Sequence, residues 1–249
     1  MKGVIASIAP RAPLIDLTHG VPPQQVAIGA LLLAQSWRFF PTRAVFLAVV
    51  DPGVGTSRRP IAVTTRAGAR FVGPDNGLLW MAAAAAQIET IVQLESAQYR
   101  LTNLSSTFHG RDIFAPAAAW LARGVEPEAL GPRLDTMVKL EPQSGVRKTA
   151  DSLRGEVIYV DGFGNLVTNL SRDQLDGFAG PRRQDRVMVT VGRRHPRFGL
   201  HATYGDVPAG RPLALFGSFE LLEIGVRDGA AADHFGAGLG TAVTVRMGK

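Results

Sequence analysis

The chain has 249 residues, of which 46% are hydrophobic, and its 27 basic and 21 acidic side chains give a formal net charge of +6. This length can bury the core of one large domain or of two moderate ones. The absence of cysteine excludes disulfides, a thiolate nucleophile and Cys-ligated zinc. Any catalysis would therefore depend on carboxylates, histidines, hydroxyls or arginines.

Two partner classes are disfavoured by the distribution of apolar and basic residues. Proline, glycine or charge interrupts every apolar stretch before the ~18–20 residues of a membrane span, and the start does not resemble a signal peptide. The densest basic segments, PRRQDR (181–186) and GRRHPR (192–197), lack interleaved aromatics, which favours a solvated loop face over nucleic-acid binding. We expect a cytoplasmic protein with no membrane or nucleic-acid partner.

The N-terminal part of the chain alternates between apolar runs and helical patterns. GVIASIAP (3–10) and AVFLAVV (44–50) predict buried strands, because both are short, apolar and closed by proline or Asp-Pro. Between them, PPQQVAIGALLLAQSWRFF (22–40) has the spacing of a helix with proline at its start. Strand, helix and strand in this order predict a parallel crossover.

Further helices and strands follow up to about residue 140. Residues 59–87 predict a strand pair, a hairpin-type turn at Asp75-Asn76-Gly77 and an alanine-rich helix. GRDIFAPAAAWLARG (110–124) predicts a second amphipathic helix that ends at Gly124. We therefore predict an α/β N-terminal domain, residues 1–145, with a mainly parallel sheet.

A polar segment, EPQSGVRKTADSLRG (141–155), has the composition of a linker. Beyond it, short apolar or alternating runs are separated by turn residues. These runs are GEVIYVD, RVMVTVG, RPLALFGSFELLEIGV and TAVTVRM. They predict an all-β, barrel-like C-terminal domain, residues 153–249.

The segment FLAVVDPGVGTSRRP (46–60) places one carboxylate, Asp51, at the end of an apolar strand. Ligands of α/β sheets bind at the carboxyl ends of the strands, and the adjacent glycines allow close approach of backbone to a ligand. Arg58 and Arg59 lie within reach of Asp51, and an arginine would keep the carboxylate ionised and oriented. A surface ion pair that only closes the turn is an equal alternative from these residues alone.

Two further motifs carry polar groups. In STFHGRDIF (105–113), His109 precedes a predicted helix N-terminus, whose dipole favours a neutral imidazole. In VDGFGNLVTN (160–169), Asp161 and Asn165 flank a glycine-rich turn and could hold ribose hydroxyls or an amino-acid group. Each motif taken alone is more often a structural residue or a turn.

In combination and order, these motifs resemble the S-adenosyl-L-methionine (SAM) hydroxide adenosyltransferase family, relatives of the fluorinating and chlorinating SAM enzymes. The resemblance runs through MKGVI, IDLTHGVPPQ, VVDPGVGTSRRPIAV, GPDNGLL, TFHGRDIFAPAAA, VDGFGNLVTN and FGSFELLEIGV. It implies an α/β domain joined to a β-barrel domain, in homotrimers that bind SAM between the N-terminal domain of one subunit and the C-terminal domain of the next.

The implied reaction is hydrolysis of SAM to adenosine and L-methionine by in-line attack of water or hydroxide on C5′, with SAM as substrate and no metal or cofactor. The family's water-handling triad falls on Asp51, Arg58 and His109. Because halide-using relatives replace the Asp and the His, retention of all three points to water as the nucleophile. A halogenating relative and a non-catalytic SAM- or adenosine-binding protein remain the alternatives.

The resemblance also assigns substrate-binding positions. Thr107 and Phe108 match residues that line the ribose and the reacting carbon, and Ser218 matches a contact of the methionine carboxylate. At Phe219 some relatives carry an arginine that assists this contact. The remaining positions match the amino-acid end of SAM or nearby polar groups, at Asp161 and Asn165, and the adenine edge, at Glu223, Val226 and Asp228.

The resemblance carries one expectation about the start of the chain. Family members ordinarily begin further upstream, with an apolar strand and a Thr-Asp-Phe-Gly-like motif whose Asp clamps the ribose. The predicted N-terminal domain therefore lacks the family's first strand, and we expect Met1 to be an internal methionine of a longer reading frame. We expect the 249-residue chain to bind SAM weakly or to be poorly soluble.

Overall fold

The computed structural model describes residues 1–140, 145–180, 186–192 and 197–248. These residues form two compact units, Met1–Glu141 and Pro142–Lys249. Most of the two arginine-rich segments, at 181–185 and 193–196, lies outside the described residues, as does the start of the predicted linker at 141–144.

The first unit combines helices with a four-stranded sheet. Its helices are α1 Lys2–Ile8, α2 Val26–Ser36, α3 Trp80–Ala85 and α4 Ala115–Ala122, and one turn of π-helix, Gly110–Phe114, leads into α4. Its strands are β1 Val45–Leu47, β2 Pro60–Thr65, β3 Arg70–Pro74 and β4 Ile88–Gln93. The predictions of α2, the β2–β3 pair, α3 and α4 are confirmed, and β1 is shorter than the apolar run that predicted it.

The sheet of the first unit is mixed, so the prediction of a mainly parallel sheet is wrong. Its order is β1-β3-β2-β4, in which β1 and β3 are parallel while β2 is antiparallel to both β3 and β4. The turn between β2 and β3 contains Gly68 at φ 85° and is too short for a crossover. Such a short connection can join only antiparallel strands.

Two local predictions were also wrong. The segment predicted as a first strand forms helix α1, in which Ile5 packs with Ala115 and Ala119 of α4. Val4, Ile5 and Ile8 fit a helical face as well as a strand, because short apolar runs do not distinguish the two. The turn at Asp75–Gly77 leads from β3 into α3 rather than into a second strand, so it is not a hairpin.

Both faces of this sheet are covered, and this packing fixes the ends of its elements. One face buries Phe46, Ile61 and Phe71 with residues of α2 and α3. The opposite face buries Val72 and Phe114 with residues of α4. Since the chain continues from β1 directly to Asp51, and the π-helical turn into α4 directly follows His109, the core positions both predicted site residues.

A cavity of about 1520 Å³ lies beside the edge of β1 that faces away from β3. Its lining includes residues 45–51 of β1 and the following loop, together with the segment 10–19. Leu14, Ile15 and Leu17 of that segment are exposed, with Ile15 retaining 69% of its accessible surface. The motif IDLTHG therefore lies outside the sheet.

The second unit is an antiparallel, nearly closed barrel, which confirms the barrel-like prediction. Its strands pair in the order β10-β11-β7-β6-β12-β8-β9, β5 pairs with β6, and a bridge between Leu200 and Ala214 connects the two ends of this order. The strands are β5 Arg147–Lys148, β6 Leu153–Val160, β7 Leu166–Ser171, β8 Val187–Val191, β9 Phe198–Gly199, β10 Pro212–Phe216, β11 Leu221–Val226 and β12 Ala242–Met247. Two short helices, α5 Arg172–Ala179 and α6 Ala231–Phe235, accompany them.

Within the described parts of the chain, no helix is both long enough and apolar enough to span a bilayer.

Candidate active site

The first unit brings Asp51, Arg58 and His109 into one hydrogen-bonded group. Arg58 Nε donates to Asp51 Oδ1 at 2.8 Å, and Arg58 Nη2 donates to Asp51 Oδ2. The same Nη2 lies 3.1 Å from Nδ1 of His109. The guanidinium therefore bridges the carboxylate and the imidazole, although the two flanking residues are 58 positions apart, from 51 to 109.

The arginine at the centre of this group is enclosed. The side chains of Arg58 and Asp51 retain only 9% and 6% of their accessible surface. The guanidinium carbon lies 5.1 Å from the centre of the Phe114 ring, which is fully buried. Burial strengthens the paired hydrogen bonds, because less water competes for the same donors and acceptors.

His109 is held in its neutral form. Burial lowers the pKa of His109 below its usual value, the nearby Arg58 charge lowers it further, and Asp51 and Asp112 partly oppose these effects. Because a guanidinium has donors only, the contact with Arg58 requires Nδ1 to be an acceptor. We therefore assign the imidazole proton to Nε2, which makes that atom a hydrogen-bond donor.

Glycines allow the loop after Asp51 to fold back onto the histidine loop. Gly55 has φ 78°, and a Cβ atom there would lie 2.8 Å from the carbonyl oxygen of Ser106. Thr56 Oγ1 closes the same loop by donating to the carbonyl oxygen of Gly53 at 2.7 Å. This close approach places Thr107 and Phe108, which precede His109, beside the loop that carries Asp51.

One donor of the buried guanidinium has no protein partner. Among the described residues, Arg58 Nη1 is buried and makes no hydrogen bond. An unpaired buried N–H group is costly, so such a group commonly marks a position where a ligand or a water oxygen binds.

The adjacent arginine, Arg59, has a different setting. Its guanidinium donates to Asp75 and to the carbonyl oxygen of Thr136, at 3.0 Å for the latter, and 33% of the side chain remains accessible. Asp75 also accepts the backbone N–H of Val138 at 2.7 Å. Arg59 therefore holds a turn and a neighbouring segment together and makes no contact with Asp51.

The second unit brings together Asp161, Asn165 and Glu223, and adds Tyr204. Asn165 Nδ2 donates to Asp161 Oδ2 at 3.0 Å and to the Tyr204 hydroxyl at 3.1 Å, and that hydroxyl donates to Glu223 Oε1. Asp161 Oδ1 also accepts the backbone N–H groups of Phe163 and Asn165, at 2.8 and 2.9 Å. The glycine-rich turn is thus locked by its own carboxylate.

Two side chains of this second group, Glu223 and Tyr204, have raised pKa values. Burial and the nearby Asp161 charge raise the pKa of Glu223, with the hydrogen bond from Tyr204 acting in the opposite direction. Burial also raises the pKa of Tyr204, and its contact with Glu223 adds to the effect. Tyr204 therefore stays protonated and serves as the donor between the carboxylate and the amide.

The other predicted substrate positions lie at the two ends of β11. Ser218 is exposed in the turn before the strand, beside Gly217, whose Cβ position would meet Glu223 Oε2 at 2.4 Å. Val226 ends the strand, and its carbonyl oxygen accepts the N–H of Gly229 at 3.1 Å. Asp228 lies in that turn at φ 58° with an exposed side chain.

In the described ranges, no group of three or more His, Asp or Glu residues is arranged to hold a metal ion.

Sequence reasoning missed two residues in these groups. Tyr204 lies in TYGDVP, far in sequence from Asn165, and only the barrel brings them together. Asp112 is fully buried beside the histidine loop, although the sequence analysis treated it only as the opening of a helix. A charged residue within an apolar helix start was the signal available for Asp112, since buried charges are rare unless paired.

Comparison with known proteins gives matches over nearly the whole chain. Residues 1–131 match the SAM hydroxide adenosyltransferase N-terminal domain, and residues 155–244 match the corresponding C-terminal domain. A (R)-S-adenosyl-L-methionine hydrolase from Salinispora tropica is 42% identical over 99% of this chain and 91% of its own length. A fluorinase from Nocardia brasiliensis is 26% identical over the same shares of both chains.

A solved structure has the same fold over nearly the whole chain. The crystal structure of an uncharacterized conserved protein from Thermotoga maritima superposes with a TM-score of 0.90 at 37% identity, covering 98% of this chain and 93% of that protein.

Proposed function

Because the chain belongs to the SAM hydroxide adenosyltransferase family, we propose that it hydrolyses SAM to adenosine and L-methionine. The observation that carries this proposal is the hydrogen-bonded Asp51–Arg58–His109 group, in which the side chains of Asp51 and Arg58 are buried. A group with a carboxylate acceptor and an imidazole donor suits the binding of one water molecule. The hydrolase names of relatives at about 40% identity support the same reaction.

In the proposed reaction, a water oxygen forms a bond to C5′ while the bond from C5′ to the sulfonium sulfur breaks. The electron pair of that bond stays on sulfur, which becomes the thioether of methionine. The sulfonium is already a good leaving group, so the protein need only position the water. Such positioning can contribute about 7–11 kcal/mol to lowering a barrier.

The hydrogen bonds of the triad assign different roles to its members. We propose that Asp51 accepts a hydrogen bond from the water and then its proton, because the His109 ring is protonated at Nε2 and its Nδ1 is occupied by Arg58. Neutral His109 donates through Nε2 to the water oxygen and orients it. Arg58 keeps Asp51 ionised and oriented through its paired hydrogen bonds.

The second unit supplies the proposed substrate contacts. We propose that Asp161, Asn165, Ser218 and Glu223 contact the amino-acid end and the adenine edge of SAM, with backbone groups at Val226 and Asp228 completing the adenine edge. Thr107 and Phe108 line the ribose and the reacting carbon. The support is that Asp161, Asn165 and Glu223 form one connected polar group with an exposed turn beside it.

We also propose the assembly that the family resemblance implies. The two units would act as an N-terminal domain, 1–145, and a C-terminal domain, 153–249, in a cytoplasmic homotrimer whose neighbouring subunits share each active site. Exposed aromatics support an intersubunit role, with Phe163 retaining 82% of its accessible surface in a locked turn. Light scattering coupled to size exclusion tests the trimer, and a monodisperse monomer that turns over SAM would contradict it.

The experiment for the reaction is incubation of the purified protein with SAM, followed by chromatography for adenosine and methionine, with and without chloride or fluoride. We expect equal amounts of adenosine and methionine, and no halide dependence. A 5′-halogenated nucleoside would instead establish the halogenating alternative. Binding of SAM without any product would establish the non-catalytic alternative.

A further inference from the structure

We propose that Asp112 is a positioning residue that sets the geometry of the His109 loop. This inference rests on the proposed function only for its kinetic consequence. The structural evidence is a buried carboxylate that connects the loop 105–109 to the helix that follows it.

The contacts of Asp112 connect two parts of the chain. Its side chain is fully buried, and Oδ2 accepts the backbone N–H of Ser105 at 2.7 Å. Its backbone carbonyl oxygen accepts the N–H of Leu101 at 2.9 Å. The carboxylate and the backbone of one residue therefore hold both the start of the loop and the segment before it.

Arg111 extends this contact to the other end of the loop. Its guanidinium donates to both oxygens of Asp112, at 2.5 and 3.1 Å, and lies 5.0 Å from the centre of the Phe108 ring. Ser105 in turn accepts the backbone N–H of Thr107 on its side-chain oxygen at 3.3 Å. The loop that ends in His109 is thus held at Ser105, Thr107 and Phe108.

The helix start is shaped to permit these contacts. Residues Gly110–Phe114 form a π-helical turn, and the backbone N–H groups of both Arg111 and Asp112 donate to the Phe108 carbonyl oxygen, at 3.1 and 3.2 Å. Single π-helical turns are rare and are frequently located at functional sites. Here the turn places Asp112 inward while His109 faces Arg58.

The charge of Asp112 also reaches the imidazole. The charged groups around His109 are Arg58 and Asp51 from the loop after β1 and Asp112 from its own helix. Of these, Asp51 and Asp112 favour the imidazolium, so removal of either negative charge lowers the pKa of His109 further. A buried carboxylate that lies away from His109, such as Asp75, has no such effect on its pKa.

The test uses Asp112→Asn, which keeps an acceptor oxygen for Ser105 and removes the charge. Asp75→Asn is the matched control, because Asp75 is also buried, also paired with an arginine and also accepts a backbone N–H. Imidazole NMR titration, assigned by loss of the signal in His109→Gln, gives the pKa of His109 without substrate. Thermal melting monitors folding, and adenosine formation gives kcat and KM.

We expect Asp112→Asn to lower the pKa of His109 and to decrease kcat by roughly 10- to 100-fold, more than it raises KM, because small displacements of catalytic groups have effects of this order. Asp75→Asn should leave the His109 titration unchanged. An unchanged or raised His109 pKa in folded Asp112→Asn would overturn the proposal, as would equal kinetic losses in both variants.

Two further measurements test the proposal if Asp112→Asn does not fold or if the protein does not cleave SAM. If Asp112→Asn fails to fold, the variant Arg111→Gln tests the proposal instead. Because Arg111 is 42% exposed, this variant should stay folded, and its kcat should decrease. An unaltered kcat in that variant would overturn the proposal. If the unmodified protein does not cleave SAM, the proposed function fails, whereas the His109 titrations still decide the role of Asp112.

Discussion

Replacement of Arg58 by lysine separates the geometry of the triad from its charge. Lysine retains a positive charge, but an ammonium group cannot present the fixed pair of N–H donors that now meets both oxygens of Asp51. It also has a single nitrogen, whereas Arg58 contacts Asp51 through both Nε and Nη2 and reaches Nδ1 of His109 with Nη2 at 3.1 Å. The variant therefore tests whether the guanidinium geometry, rather than a nearby charge, supports catalysis.

The expected magnitude follows from the contacts that are lost. Arg58→Lys removes at least one charge-assisted hydrogen bond in a buried group, and each such bond contributes about 1.5–3 kcal/mol. If this loss falls on the transition state, kcat/KM decreases by about 10- to 150-fold, since about 1.4 kcal/mol corresponds to a factor of ten. Arg59→Lys is the matched control, because Arg59 contacts Asp75 rather than the triad.

The assay is initial-rate adenosine formation at several SAM concentrations, with thermal melting to verify that both variants are folded. We expect Arg59→Lys to stay within about threefold of the unmodified kcat/KM, because the contacts it weakens lie outside the reacting site. Equal losses in the two variants would refute the assigned role of Arg58. Retention of more than about a third of the activity in Arg58→Lys would refute it as well.

Three further predictions concern the other members of the two groups. Asp51→Asn and His109→Ala should each abolish most adenosine formation while SAM affinity, measured by calorimetry, stays within about tenfold; near-normal turnover in either variant would contradict the roles. Because the pKa of His109 is lowered, neutral His109 and the activity that depends on it should persist below pH 6.5 and be lost as the pH falls through the lowered value. The stability linked to His109 should be complete above pH 6.5 and decrease from pH 6.5 down through the lowered value, and loss of activity already above pH 6.5 would contradict this assignment. Tyr204→Phe removes the donor to Glu223 and the acceptor for Asn165, so KM for SAM should rise about tenfold with a smaller change in kcat, and an unchanged KM would exclude the group from substrate binding.

The sequence predicted the elements with clear periodicity better than it predicted their pairing. Helix α2 and the barrel strands β6, β8, β10, β11 and β12 have patterns typical of one structure type and were found where predicted, whereas β5, β7 and β9 were not predicted as strands. The run that became α1 is short and apolar throughout, so its packing with α4 decided its structure. The direction of β4 relative to β2 depends on contacts across the sheet, which no local pattern contains.

In the candidate site too, contacts between residues close in sequence could be predicted, whereas contacts between distant residues could not. Asp51 and Arg58 lie near each other in sequence, so their pairing could be anticipated from the glycine-containing loop. The contact of Arg58 with His109 spans 51 positions and came only from the family resemblance. Tyr204 and Asp112 escaped notice because their importance depends on burial and on partners in other elements, neither of which the residue types reveal.

The central claim is that water attacks C5′ of SAM, and isotope labelling tests it most directly. The reaction would be run in H₂¹⁸O and both products analysed by mass spectrometry. We predict one ¹⁸O atom in adenosine, at the 5′ oxygen, and none in the methionine released with it. Label in the amino-acid product, or a nucleoside that keeps the sulfur atom, would show that a different bond of SAM is cleaved, and a 5′-halogenated nucleoside would show a nucleophile other than water; each result would contradict the proposed mechanism.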